Sequence, residues 1–346
     1  MSKAWKNVRC LVIPVSAPKG SRIFQYRQFD HHNWVHGTER ESCNRLRAEA
    51  SDGNFSEEYV GFQDPLRKAH HEYRRRFTEQ QAALEDGQFV RAIAAATGRM
   101  PGVKRLEVQD FDDSAEHRIS ADQHAIQLPI AIHKAGTSIP GFWVEVSPTE
   151  NFYALAPTRE QRHDISAAVQ QLKCFTFRPV GRSTKQEPVR EPREFKAIEK
   201  YIKLFADTAA LQHLSIWTEE LWQVTPTVSL GPVINARPWP NLRFAGWIGL
   251  SLYLTELERG LENLSQTVLS LIIKDMHLLS GNWVEALDIL RRKRPRSLTR
   301  PLEFETPSGA ECEGMSQEAY EVVFKTDFIN SVDTSLAERY IRGSID

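Results

Sequence analysis

The chain has 346 residues, 41% hydrophobic and 26% charged, the balance of a folded protein and not of a disordered one. Its 44 Lys and Arg against 45 Asp and Glu leave a net charge of -1. No global field therefore draws in nucleic acid or an anionic membrane, and an electrostatic partner must meet a local patch.

Four cysteines, Cys10, Cys43, Cys174 and Cys312, are far apart and form no CxxC pair, which argues against a zinc site or a disulfide framework. The opening MSKAWKNVRCLVIPVSAPKG contains an apolar run from Cys10 to Val15, too short for a secretory signal. No run approaches the roughly 18 apolar residues of a membrane span. The expected setting is intracellular, cytoplasmic or nuclear, with no membrane partner.

Taken in chain order, Val8, Leu11 and Ile13 begin a series of short strands with apolar residues at positions one, four and six. Residues 16–54 are polar and show little periodicity. Pro65 to Leu84 predicts a very polar helix with a thin stripe of Leu66, Ala69, Tyr73, Phe77, Gln80 and Leu84, closed by Asp86-Gly87. A second helix, Gln88 to Thr97, stops at Gly98. The turn Met100-Pro101-Gly102 then leads to a strand with Val103, Leu106 and Val108. LKCFTF repeats the pattern with Leu172, Phe175 and Phe177. The intervening gap of 69 residues has room for a further unit or an insertion.

GRSTKQEPVREPR, at 181–193, reads as a surface loop. Phe195, Ile198, Ile202 and Phe205 then share one helical face and lead to the cleanest strand, LQHLSIW, with Leu211, Leu214 and Ile216. Leu242, Ala245 and Trp247 make a weaker copy. The stripe Leu250, Leu254, Leu257, Leu261 and Leu264 predicts a helix before Val268, Leu271 and Ile273. A helix carrying Trp283, Ala286, Leu287 and Leu290 precedes a degenerate copy at Leu298, Leu302 and Phe304, where Pro301 spoils the spacing. Glu318 to Lys325 is a helical patch in the tail.

Positions four and six point to one face of a strand, and one such unit cannot bury its apolar face alone. Units must stack and share a core. The spacings from 172 onward are 39, 31, 26 and 30 residues, longer and less even than the roughly 20–29 of regular leucine-rich repeats. The expectation is an α/β, irregular leucine-rich-repeat-like solenoid, with parallel strands on the concave side and helices outside. The expected organisation is an irregular region at 1–87, a repeat array at 88–306 with its loop at 181–193, and a C-terminal cap at 307–346.

The chain has no GxGxxG, GxxxxGK[ST], GxSxG or HExxH, so no catalytic residue, cofactor or metal is expected. Asp30, His31, His32 and His36 form the densest ligand-like cluster. His32 and His36 would share a helical face, but the stretch does not look helical and a third ligand is not evident. The bland reading is a polar loop. His70 and His71 are adjacent and cannot share a helical face. Arg291, Arg292, Lys293, Arg294 and Arg296 suit phosphate binding or nuclear import; the simpler reading is a helix C-terminus favouring cations. Arg74, Arg75 and Arg76 are balanced by Glu72 and Glu79. Trp217 is either an exposed binding anchor or packed under the loop from Glu219.

VLSLIIKDMHLLSGNWVEALDILRRK, Val268 to Lys293, resembles the C-terminal repeats of fungal F-box and leucine-rich-repeat-like proteins, in which a strand, an "LLSGSW"-like turn and a "VEVLDILR"-like helix recur. FVRAIAAATGRMPGVKRLEVQDF, Phe89 to Phe111, resembles an earlier helix–strand unit of the same group. Members with a recognisable F-box carry it near the N-terminus, as a short helical module with a Leu-Pro-containing signature that docks the adaptor of a cullin ubiquitin ligase. No such module is found here, where VRCLVI opens the chain. The resemblance therefore implies the substrate-recognition half.

The expected function is a protein-binding repeat scaffold, with a ubiquitin-ligase adaptor as a candidate partner and nucleic acid disfavoured. Its concave face would carry positions three, five and seven: Arg105, Glu107 and Gln109; Cys174, Thr176 and Arg178; His213, Ser215 and Trp217; Ser270, Ile272 and Lys274. The alternative is an enzyme or accessory factor with a pocket formed by the segments 16–54 and 114–160, in which His31, His32, His36, His124 and His133 would be the residues of interest.

Overall fold

A computed structural model describes residues 10–14, several positions between 71 and 82, and residues 86–109, 121–146, 152–179, 192–218, 228–299, 302–325 and 335–345. Two compact units are distinguished, one formed by 1–15 with 90–346 and the other by 16–89. In the second unit His71, Glu72, Arg75, Thr78, Glu79 and Ala82 are helical, as the polar helix predicted. Arg75 pairs there with Glu72 and Glu79, both at 2.7 Å. The stripe side chains of that helix, and the Asp30–His36 cluster, lie outside the described residues.

The first unit alternates strands and helices. In chain order these are β1 (Cys10–Pro14), α1 (Gln88–Gly98), β2 (Arg105–Gln109), α2 (Ala121–Lys134), β3 (Gly141–Val146), α3 (Arg159–Ala168), β4 (Cys174–Pro179), α4 (Pro192–Ala206), β5 (His213–Trp217) and α5 (Gly231–Ile234). There follow β6 (Phe244–Ile248), β7 (Ser251–Tyr253), α6 (Leu254–Asn263), β8 (Ser270–Lys274), β9 (His277–Ser280), α7 (Trp283–Lys293), β10 (Glu303–Glu305), β11 (Ser308–Gly309), α8 (Gln317–Phe324) and α9 (Leu336–Arg342). Eight strands form one open sheet in the order β1-β2-β3-β4-β5-β6-β8-β10, and every neighbouring pair is parallel. The fold is therefore α/β, with a parallel sheet whose strands follow one another along the chain.

The one-four-six pattern explains why. Leu106, Val108, Phe175, Phe177, Leu214 and Leu271 are wholly buried, and the residues between them are not apolar enough to bury both faces. Helices cover the apolar side. Phe205 of α4 stacks on Phe175, ring centroids 4.8 Å apart, and on Phe142 at 5.3 Å. Tyr201 donates its hydroxyl to the carbonyl of Ala125, tying α4 to α2.

The gap between Val103 and Leu172 holds a full unit. Ile139, Phe142 and Val144 occupy positions one, four and six of this unit, whose strand is β3, and all are buried. The degenerate last unit also shifts. The pairing of Glu303 with Ile272 puts Thr299, not Leu298, at the first position, and the Thr299 N–H donates to the Leu269 carbonyl. Leu302 and Phe304 are buried as expected, whereas Leu298 is half-exposed. Pro192 and Arg193, read as the end of the 181–193 loop, belong to the first turn of α4.

A second, three-stranded sheet in the order β11-β9-β7 was not expected. Each of its strands follows a strand of the main sheet after one residue in the left-handed region: Gly249 (φ 72°), Asp275 (φ 51°) and Thr306 (φ 48°). These three bends stack. Gly249 N–H donates to Lys274 O, Asp275 N–H to Glu305 O, and the Thr306 hydroxyl to the Asp275 carboxylate at 2.5 Å. A threonine in this region is strained, and the bond to Asp275 helps hold it. The helical stripe read from Leu250 starts later, because 251–253 are strand and α6 begins at Leu254.

At the far end, two side chains of α9 meet the outer edge of β10. Glu338 accepts the Phe304 N–H at 2.9 Å, and an Arg342 Nη2 donates to the Leu302 carbonyl at 3.4 Å.

Candidate functional site

Strand alternation places positions three, five and seven on the sheet face opposite the buried one. Register defines three rows across the strands. The first contains Arg105, Gly141, Cys174, His213, Phe244 and Ser270; the second Glu107, Trp143, Thr176, Ser215, Gly246, Ile272 and Glu303. The third contains Gln109, Glu145, Arg178, Trp217, Ile248, Lys274 and Glu305.

All twelve residues predicted for the concave face lie on this side of the sheet, but they are not equally accessible. Glu107, Thr176 and Ser215 are buried by their own neighbours, as is Ser270. Arg105 pairs with Glu107, and Gln109 donates an amide N–H to Glu107 at 3.2 Å. Trp217 donates its indole N–H to the Ser215 hydroxyl at 2.7 Å. Phe244 leans over Gly246, where a Cβ would come within 3.2 Å of the ring. Arg105, Cys174, Gln109, Arg178, His213, Trp217, Ile272 and Lys274 remain exposed or half-exposed.

Two arginine–tryptophan stacks dominate the accessible part. The Arg105 guanidinium lies 5.2 Å from the centre of the Trp143 ring, and that of Arg178 lies 5.3 Å from the Trp217 ring. Arg178 also pairs with Glu145 at 3.6 Å. His213 stacks on Phe244 with centroids 4.1 Å apart and rings nearly parallel. Lys274 bridges Glu303 and Glu305 at 3.2 and 3.1 Å. Trp143, Glu145, Phe244, Glu303 and Glu305 were absent from the predicted set. Ile139-Pro140-Gly141-Phe142 carries the signal for the first two, since the spacing matches once Pro140 is accepted at position two.

The titrating groups here are shifted by burial and by their charged neighbours. Burial pushes the Cys174 thiol up against the opposing pull of Arg105 and Lys173. Burial, aided by Arg105, lowers the His213 pKa. Burial opposes the Lys274 charge, but hydrogen bonds to Glu305 and Glu303 outweigh it and its pKa rises. Among the described residues no group of three or more His, Cys, Asp or Glu side chains is placed to hold a metal. His124 is buried in α2, whereas His133 is exposed near the end of the same helix.

Much of the basic run in α7 is used internally. Lys293 pairs with Glu262 at 2.6 Å, Arg291 lies 4.7 Å from the Tyr340 ring centre, and Arg294 donates to the Arg342 carbonyl. Arg292 and Arg296 are exposed. Among the described residues no helix is long and apolar enough to cross a membrane. Compared with known proteins, the chain matches no family profile, and no curated protein is significantly similar to it.

Proposed function

We propose that this chain is a protein-binding repeat scaffold: an irregular leucine-rich-repeat-like solenoid that presents positions three, five and seven of its strands on a concave face. The observation that carries this reading is the pair of arginine–tryptophan stacks, Arg105 on Trp143 and Arg178 on Trp217, on the face of the parallel sheet opposite its buried apolar side. Arg and Trp are the side chains most enriched among residues that dominate protein interfaces. Holding each guanidinium against a ring and a carboxylate reduces the rotamer freedom lost on binding.

The likeness to F-box and leucine-rich-repeat-like proteins suggests substrate recognition for a cullin ubiquitin ligase, with its adaptor as a candidate partner. The supporting feature is the unit from Val268 to Lys293, which forms β8, β9 and α7 as a strand, an extended LLS segment turning at Gly281, and a helix capped by Asn282.

The test is affinity purification of tagged full-length chain from its native cells, beside an Arg178→Ala/Trp217→Ala variant, with quantitative mass spectrometry. Proteins recovered by the native chain and depleted with the variant, at a nearly unchanged melting temperature, support the scaffold. A cullin and its adaptor among the recovered proteins support the ligase link. Equal recovery with both chains overturns the proposed face.

A further inference from the structure

The edge at which the strands begin carries a row of cations. The second position of each unit, just ahead of the strand, holds in turn Lys104, Pro140, Lys173, Gln212, Arg243 and Leu269. Backbone hydrogen bonds continue the ladder through this row. Lys173 N–H donates to Pro140 O at 2.8 Å, Gln212 N–H to Lys173 O at 2.7 Å, and Arg243 N–H to Gln212 O at 2.8 Å. Adjacent members are therefore one strand apart. Lys104, Lys173 and Arg243 fall on every second strand, about 10 Å from one to the next. All three are exposed.

Among the described carboxylates, Glu107 pairs with Arg105, and Asp207 with Arg237 at 3.4 Å. Among the described residues, positions one to three of β2, β3, β4, β5, β6 and β8 contain no acidic residue. On a chain of net charge -1 this is a local surplus, and it borders the arginine–tryptophan face.

We propose that this row binds an extended acidic segment of a protein partner, running across the strands with a carboxylate at every third residue. An extended chain of the polyproline II type advances about 3.1 Å per residue with three residues per turn, so every third side chain returns to the same side after about 9 Å, close to the cation spacing. The inference rests on the protein-binding reading and adds the charge and spacing of what is bound.

The probe is a fluorescein-labelled peptide of about 13 residues with Glu at every third position among Ser and Gly, titrated with the full chain and followed by anisotropy. Expected is saturable binding that weakens as salt screens it. It should be about tenfold or more weaker for Lys104→Glu/Lys173→Glu/Arg243→Glu at an unchanged melting temperature. The isomeric peptide with contiguous Glu residues should bind less tightly than the spaced one. Absent binding, equal binding of the two isomers, indifference to the triple reversal, or tighter binding of a short oligothymidylate than of the peptide would each overturn the proposal. Partners lost with Arg178→Ala/Trp217→Ala but kept by the triple reversal would leave the scaffold standing and remove this inference; partners kept by both variants would remove both.

Discussion

Arg178 and Trp217 sit on neighbouring strands with the guanidinium 5.3 Å from the indole ring centre, and each has a further partner, Glu145 for the arginine and Ser215 for the tryptophan. A half-exposed cation–π pair contributes about 0.5–1 kcal/mol. A double-mutant cycle of Arg178→Met and Trp217→Leu, read by urea denaturation, should return a coupling energy in that range. A coupling near zero would mean that the two side chains share the face without supporting each other.

Trp283 anchors the last part of the core. It is 1% exposed, meets Phe304 edge-on at 5.6 Å and donates its indole N–H to the Ser308 carbonyl. Trp283→Ala should cost about 3–5 kcal/mol. Trp283→Phe should cost less, because most of the volume stays while the Ser308 carbonyl loses its donor. A loss below about 1 kcal/mol for the alanine variant would contradict the burial described here.

The recurring strand motif was readable because it repeats one physical requirement, apolar side chains at four and six facing the helices, and Phe175, Phe177, Leu214 and Ile216 meet it without interruption. Its β3 copy was missed because Pro140 and Gly141 resemble a turn, and two members of the candidate face, Trp143 and Glu145, were missed with it. The second sheet could not be read at all. Strands of two to four residues, such as Ser308–Gly309, are too short to show alternation, and the bends that create them use Asp275 and Thr306 where a glycine would have been the signal. Which face residues are accessible was equally hidden, since Glu107 and Ser215 are covered by long neighbours on their own strands, Arg105 and Gln109 for the first and Trp217 for the second.

Gly260 of α6 faces α5 at close range. A Cβ there would lie 2.6 Å from Ile234 Cδ1 and 3.4 Å from the Trp247 ring. Gly260→Ala gains helix propensity of up to about 1 kcal/mol, but the overlap is expected to outweigh it, for a net loss of about 1–2 kcal/mol. Ile234→Val removes the obstructing methyl. The double variant should therefore be less destabilised than the sum of the two single changes, as a set of thermal or denaturant melts would register. Strict additivity would argue against the contact.

Glu338 supplies a pH dependence with a definite sign. It is 5% exposed, and burial raises its pKa above the ordinary 4.5, opposed by the Phe304 N–H, Arg342 and the Ser335 N–H and reinforced by Glu305. The folded state therefore binds this proton more tightly than the unfolded state. Its favourable contribution is fully present below the unfolded value and is lost as pH rises from there through the folded pKa. Glu338→Gln, neutral in both states, should remove that part of the decline. Denaturant midpoints of both proteins across the acid range should converge or cross as pH rises; parallel curves would show that Glu338 titrates normally.

The same helix decides how the sheet ends. On the outer side of β10, Glu338 takes the N–H of Phe304 and Arg342 takes the carbonyl of Leu302, so one carboxylate and one guanidinium supply the acceptor and donor that another strand would offer. An exposed strand edge templates end-to-end association. Here the edge is terminated by side chains that carry charge into it, and a second molecule cannot extend the sheet at this point without first displacing α9. The protein thereby resists polymerisation at this end through two residues one helical turn apart.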